Sequence, residues 1–141
     1  MVKISIFYPA REGGRFDLPY YLQTHMPMSI DRIGAHPGFR GVSVEQGLGG
    51  GEPGTRPTFI AACHFLFDSM EHFVEAYTPH AASLYEDLTN YTDLKPLVQI
   101  NEVLLRTGGA PLCSPGGRIA TGSDPARRPL ANARGACAHA S

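Results

Sequence analysis

The sequence predicts an α+β fold with the element order β-α-β-β-α-β, and three observations carry that prediction. Residues 2–8, Val-Lys-Ile-Ser-Ile-Phe-Tyr, put Val2, Ile4, Ile6 and Tyr8 on one side of an extended chain. Residues 70–88 space Met70, Phe73, Val74, Tyr77, Ala81, Leu84 and Leu88 at three and four, the signature of one helical face. Between that helix and an earlier one lie two strand-like runs in succession. Such an order is the ferredoxin-like split βαβ arrangement, an antiparallel sheet with two helices on one face.

Each element has a local reason. Pro9 ends the first strand, and a loop over residues 10–15 follows. Asp17 can cap a helix whose first turn carries Pro19, a favoured early position. That helix runs to Ile33, with Gly34 as its stop. The second strand spans 39–48, with Val42, Val44 and Gln46 on one side and Gly41, Ser43 and Glu45 on the other. Residues 47–57, rich in Gly and Pro, must form a loop. The third strand, 58–67, is apolar on both faces. Asp68 or Ser69 caps the second helix, which Pro79 should bend or split. The last strand, 96–105, should pair beside the first.

Composition sets the outer limits. The 141 residues are 43% hydrophobic and 18% charged, within the globular range. The net charge of -1 hides a split. Residues 1–106 hold 8 Lys and Arg against 12 Asp and Glu, whereas residues 107–141 hold 4 Arg and 1 Asp. The second stretch is dominated by Ala, Gly, Pro, Ser and Arg, and cannot bury enough apolar area to offset its ordering entropy. We therefore expect one domain over 1–106 and a disordered tail over 107–141. No apolar run approaches the roughly 20 residues of a membrane span. The Met1-Val2-Lys3-Ile4 start does not read as a signal peptide. Three cysteines, Cys63, Cys113 and Cys137, show no CxxC spacing, so a reducing cytoplasm is expected.

The third strand also predicts a partner. It carries Phe59, Phe65 and Phe67 on one side and Ile60, His64 and Leu66 on the other. Two helices cover one face of a four-stranded sheet, so the other would be a large exposed apolar patch. A homodimer packed sheet against sheet removes that patch.

The first helix holds the main chemical candidate. At 100° per residue, Leu18, Leu22, His25, Ser29 and Ile33 share one face, flanked by Tyr21 and Met26. His25 thus lies mid-helix on the inward side. Pro27 cannot donate to the Gln23 carbonyl, so the helix should kink near His25 and leave a gap against the sheet. An imidazole beside such a gap can act as general acid or base near neutral pH. The competing reading is a core histidine satisfied by a backbone carbonyl or a tyrosine. His64, Gln99, Asn101, Tyr8, Tyr21 and Met26 are the expected binding residues of a mostly apolar pocket between helices and sheet. Against this, His64 and Gln99 could instead serve strand register or a dimer contact.

Other chemistries find no footing. There is no HxH, HxxxH or HExxH, so no metal is expected. The glycine-rich run 47–54 has Glu52 where a dinucleotide fingerprint needs glycine, and it leads into a strand. It reads as a flap over a pocket mouth or a long hairpin loop. No GxSxG elbow occurs, and basic residues do not interleave with aromatics as RNA-binding sheets require.

Four segments resemble one family. The run Phe16-Asp17-Leu18-Pro19-Tyr20-Tyr21-Leu22-Gln23-Thr24-His25-Met26-Pro27-Met28 resembles the signature helix of the EthD family, named for an accessory protein of ethyl tert-butyl ether degradation. The opening strand through Pro9, Gly41–Gly47 and Asn90-Tyr91-Thr92-Asp93 agree with it. The likeness covers about 1–105; the tail has no counterpart. It implies a dimeric α+β barrel, with the family's histidine at His25. Related barrels include monooxygenases that need no metal or flavin, lactone isomerases and polyketide cyclases, so no cofactor is expected and the fold alone leaves the reaction open. The expected function is a small cytoplasmic dimer that binds an apolar small molecule. His25 would serve cofactor-independent oxidation or proton transfer in catabolism or secondary metabolism. The alternative is a non-enzymatic carrier or stabiliser for an oxygenase system.

Overall fold

The computed structural model describes residues 1–107. The tail expected over 107–141 falls, beyond Thr107, outside the described residues, as do Cys113 and Cys137. In chain order the elements are β1 (Val2–Pro9), α1 (Leu18–Tyr20), a π-helical turn (Tyr21–His25), α2 (Met26–Ile33), β2 (Phe39–Gln46), β3 (Phe59–Phe67), α3 (Met70–Tyr77), a 3-10 turn (Thr78–His80), α4 (Ala81–Tyr91) and β4 (Leu97–Glu102). The sheet order is β2-β3-β1-β4, and every neighbouring pair is antiparallel. This is the ferredoxin-like fold. β3 takes a central place because it is apolar on both faces, and β1 joins it there.

Alternation along β1 decides what each sheet face carries. Ile4 pairs with Phe65 and Ile100, and Ile6 with Cys63 and Val98. With Tyr8 and Phe67, these side chains turn toward the helices, where Ile4, Cys63 and Phe67 are almost fully buried. Full burial of a side chain of the size of Ile4 or Phe67 is worth about 1.5–3 kcal/mol. Ser5 lies opposite His64 and Gln99, and Lys3 opposite Asn101, on the outer face. A register shift between Tyr8 and Pro9 turns Phe59 outward, where its ring packs 4.8 Å from Phe7. Phe59 therefore does not share a side with Phe65 and Phe67, because a bulge breaks the period of two. A second shift, between Phe39 and Gly41, uses a Gly41 φ of 143°, a conformation that side chains rarely adopt.

The helices keep their expected starts and change in their interiors. The Asp17 carboxylate accepts the Tyr20 amide at 3.0 Å, and the Ser69 hydroxyl accepts that of His72 at 3.2 Å. Such caps contribute about 1 kcal/mol each. Pro27 produces a π turn: the Met26 amide donates to the Tyr21 carbonyl, five residues back. The extra residue rephases the helix. Tyr21, His25, Met26, Ser29 and Ile33 are buried, while Leu22 is 48% exposed and leaves the predicted inward face. Pro79 splits the second helix through its 3-10 turn, and α4 continues to Tyr91, beyond the expected end at 88. β4 stops at Glu102, short of 105, and Leu104 and Leu105 lie exposed beyond it. Among the described residues no helix is long and apolar enough to cross a membrane.

Candidate active site

The clasp between two loops builds the site. The Asp17 amide donates to the Tyr91 carbonyl at 2.7 Å, next to an isolated bridge between Phe16 and Thr92. The Arg15 guanidinium donates to the Thr89 carbonyl at 2.7 Å, and the Arg15 amide to Asp93 at 2.7 Å. These bonds hold the end of α4 against the start of α1. Asp87 and Tyr91 then face the π turn that carries Tyr21 and His25.

His25 and Asp87 form a buried pair. Nδ1 of His25 lies 2.7 Å from an Asp87 oxygen, with side-chain exposures of 10% and 13%. The Tyr20 hydroxyl donates to the other Asp87 oxygen at 2.7 Å, and the Asn90 amide to that same oxygen at 2.9 Å. The Ser29 hydroxyl donates to the His25 carbonyl at 2.8 Å, satisfying an acceptor within the distorted helix. Tyr21 stacks on the imidazole at 5.4 Å and 15°, and the Tyr91 ring lies 4.6 Å from it.

The electrostatics favour one protonation state. Burial lowers the His25 pKa below its ordinary value, and Asp87 offsets this only in part. Burial would raise the Asp87 pKa, but the hydrogen bonds from Tyr20, Asn90 and His25 hold it below the usual carboxylate range. Near neutral pH the pair is thus a carboxylate and a neutral imidazole. Nδ1 carries the hydrogen and donates it to Asp87, which leaves the lone pair on Nε2. Nε2 has no hydrogen-bond partner among the described residues.

His25 lines a cavity of about 440 Å³ between helices and sheet, within the range of ligand pockets. Ile4, Ile6, Phe65 and Val98 form its sheet wall, and Phe73, Leu84 and Leu88 its helical wall. Tyr8 and Tyr91 also line it, their hydroxyls 2.9 Å apart. Burial raises the pKa of Tyr8, Tyr21 and Tyr91, which keeps those hydroxyls protonated. Burial likewise pushes the Cys63 thiol up to about 12. The arrangement can accept a proton at Nε2 and donate hydrogen bonds from tyrosine, in a mostly apolar space.

The structure divides the predicted site residues into two groups. His25, Tyr8, Tyr21 and Met26 all line the cavity. His64, Gln99 and Asn101 do not, because they lie on the outer face of the sheet. There they belong to a polar chain across the strands. Ser5 contacts His64 at 2.8 Å, Asn101 donates to Ser5 at 3.4 Å, and Gln99 to Asn101 at 2.6 Å. His64 Nε2 also lies 3.3 Å from Glu45. Polar side chains therefore occupy the middle of a face expected to be an apolar patch. The loop after β2 lines a separate groove on that face with Phe7 and Phe59, so it is not a flap over the cavity.

Sequence reasoning missed Asp87, Tyr20 and Asn90. One signal was present: Leu84, Asp87, Leu88 and Tyr91 have the spacing of one helical face, which puts a carboxylate in an apolar stripe. Among the described residues, no group of three or more His, Cys, Asp or Glu side chains could hold a metal ion.

Comparison with known proteins adds a lineage. No protein-family profile matches the chain, and no curated protein does. Among solved structures, an EthD-like protein from Ralstonia eutropha JMP134 is 42% identical, with a TM-score of 0.70 over 75% of this chain and 94% of its own. An ethyl tert-butyl ether degradation (EthD) family protein from Bacillus halodurans C-125 is 24% identical, with a TM-score of 0.55 over 74% and 99%. A Nitrosomonas europaea protein, provisionally assigned as an antibiotic biosynthesis monooxygenase, shares the fold at 12% identity and a TM-score of 0.50, over 76% and 94%.

Proposed function

The chain belongs to the EthD family, and from that premise we propose that it is a small dimeric protein that binds an apolar small molecule and moves a proton with His25. One observation carries this reading. Nε2 of His25 is free of protein partners among the described residues, while Nδ1 is held by Asp87, beside a cavity of about 440 Å³. Asp87 orients the ring and selects the tautomer; Nε2 takes the proton from the bound ligand. The fate of the resulting anion sets the reaction class. Return of the proton to another atom is isomerisation, and attack on dioxygen is cofactor-independent oxidation. Tyr8, Tyr21 and Met26 shape the pocket.

The same reading assigns the function to residues 1–106 and puts the protein in a reducing cytoplasm, in keeping with a buried free thiol at Cys63. A second copy would cover the outer sheet face, where Phe7, Phe59 and Leu66 flank the polar chain and Leu97 is 52% exposed.

Native mass spectrometry of the purified protein tests the binding step. We expect a co-purified small molecule in the wild type and its loss in a folded His25→Ala variant. A His25→Ala variant that keeps the ligand and any turnover would overturn the role of His25. Co-purification with an oxygenase, without turnover by the protein alone, would favour the non-enzymatic alternative, a carrier or stabiliser for an oxygenase system.

A further inference from the structure

The hydroxyl pair in the cavity wall limits what the ligand can be. Tyr8 and Tyr91 share one O–H···O bond of 2.9 Å, which uses one of their two hydroxyl hydrogens. The other hydroxyl hydrogen of the pair has no oxygen acceptor among the described residues. Both residues line the cavity. A buried donor without an acceptor is costly, so a ligand oxygen placed there gains the missing bond.

The rest of the lining argues against a ligand that arrives charged. The walls are aliphatic and aromatic, and the cationic lining residue Lys95 is exposed. Burying a permanent charge without a partner is unfavourable. A neutral ligand that gains negative charge only as His25 acts avoids that cost. The rings that carry base and donor pack against each other, with centroids 4.6 Å apart for His25 and Tyr91. A ligand whose acidic hydrogen and charge-receiving oxygen sit on neighbouring atoms suits that packing.

We propose that the ligand is a small, neutral, mostly apolar carbonyl compound with an enolisable α-carbon, its oxygen on the Tyr8–Tyr91 hydroxyl pair and its α C–H toward His25. The proposal rests on the reading that Nε2 accepts a proton in this cavity. Nε2 takes the α proton, and the C–H electron pair becomes the C=C bond of the enolate. The carbonyl π pair moves onto oxygen, which accepts the spare tyrosine hydrogen bond. Return of the proton from Nε2 to the same or another carbon restores the neutral imidazole. Nothing is oxidised or reduced. A hydroxy-aromatic ligand would present the same oxygen chemistry without a carbon acid, and the test separates the two.

The experiment follows deuterium incorporation at C1 of 2-tetralone in D2O by proton NMR, with the full-length protein. Tetralin, of the same shape without the carbonyl, and 2-naphthol serve as binding controls. We expect exchange well above the buffer rate, and 2-tetralone to bind more tightly than tetralin. His25→Ala should lower exchange by about 10²-fold or more. Tyr8→Phe and Tyr91→Phe should each lower it by about tenfold or more while tetralin affinity holds. Exchange at the buffer rate with 2-tetralone and tetralin bound alike would overturn the carbonyl assignment and leave the apolar-ligand reading standing. Tight binding of 2-naphthol without exchange would replace it with a hydroxy-aromatic ligand. Failure of all three compounds to bind would remove both readings. The wild-type comparison decides even if a tyrosine variant fails to fold.

Discussion

At the scale of single residues, the role proposed for His25 draws on burial and on one carboxylate. Burial removes water from the imidazolium and lowers its pKa below 6.5, while Asp87 pulls the other way. Replacing Asp87 with Asn removes the negative charge, so the His25 ring should titrate still lower in an NMR pH titration. Proton transfer should also fall by about tenfold or more, because an Asn amide can present its hydrogen to Nδ1 and reverse the tautomer. Stability follows with a definite sign. Between the lowered folded value and 6.5 the unfolded chain binds more protons than the folded one, so stability rises with pH. The contribution of neutral His25 is full above about pH 6.5 and is lost as pH falls through the folded value. Asp87, also lowered, contributes above 3.8 and loses its share below it. Thermal melts of the wild type should decline from pH 7 to 5, with a shallower decline in His25→Gln. Equal slopes in the two proteins would contradict this assignment.

At the scale of elements, the π turn converts one proline into a site. Pro27 removes a helical donor, the Met26 amide reaches back to Tyr21, and the inserted residue turns Tyr21, His25 and Met26 inward. Pro27→Ala restores the donor and lets the turn relax toward a regular helix. The expected outcome is a small change in melting temperature with roughly tenfold weaker ligand binding, measured by calorimetry. A variant that binds as well as the wild type would show that Pro27 does not set the position of His25. The kink was legible because proline chemistry is local. Its geometry was not: a regular 100° spacing puts Leu22 on the buried face, and one extra residue takes it off. Phe59 repeats the lesson in the sheet, where a single bulge reverses its face.

At the scale of the whole molecule, the two sheet faces differ in what they carry. The inner face carries the cavity, and the outer face carries the chain of Glu45, His64, Ser5, Asn101 and Gln99 between apolar flanks. If a second copy covers the outer face, light scattering should give twice the mass of one chain. Leu66→Asp, beside Phe67 on β3 but facing outward, should shift that mass toward a single chain without emptying the cavity. A wild-type protein at the mass of one chain would remove the dimer from the proposal.

The sequence by itself determined the element order, the helix starts at Asp17 and Ser69, the interruptions at Pro27 and Pro79, and the inward place of His25. These follow from periodicity, capping and proline chemistry, which act within a few residues. Only the tertiary structure decided which sheet face meets the helices, and so which candidates reach the cavity. Period-two alternation puts His64 opposite its neighbours on β3 without saying which side is inside. Asp87 became the partner of His25 through a contact spanning 62 residues of chain. No local pattern encodes a contact between one helix and another so distant; it arises when the loop clasp at Asp17 and Tyr91 brings their buried faces together.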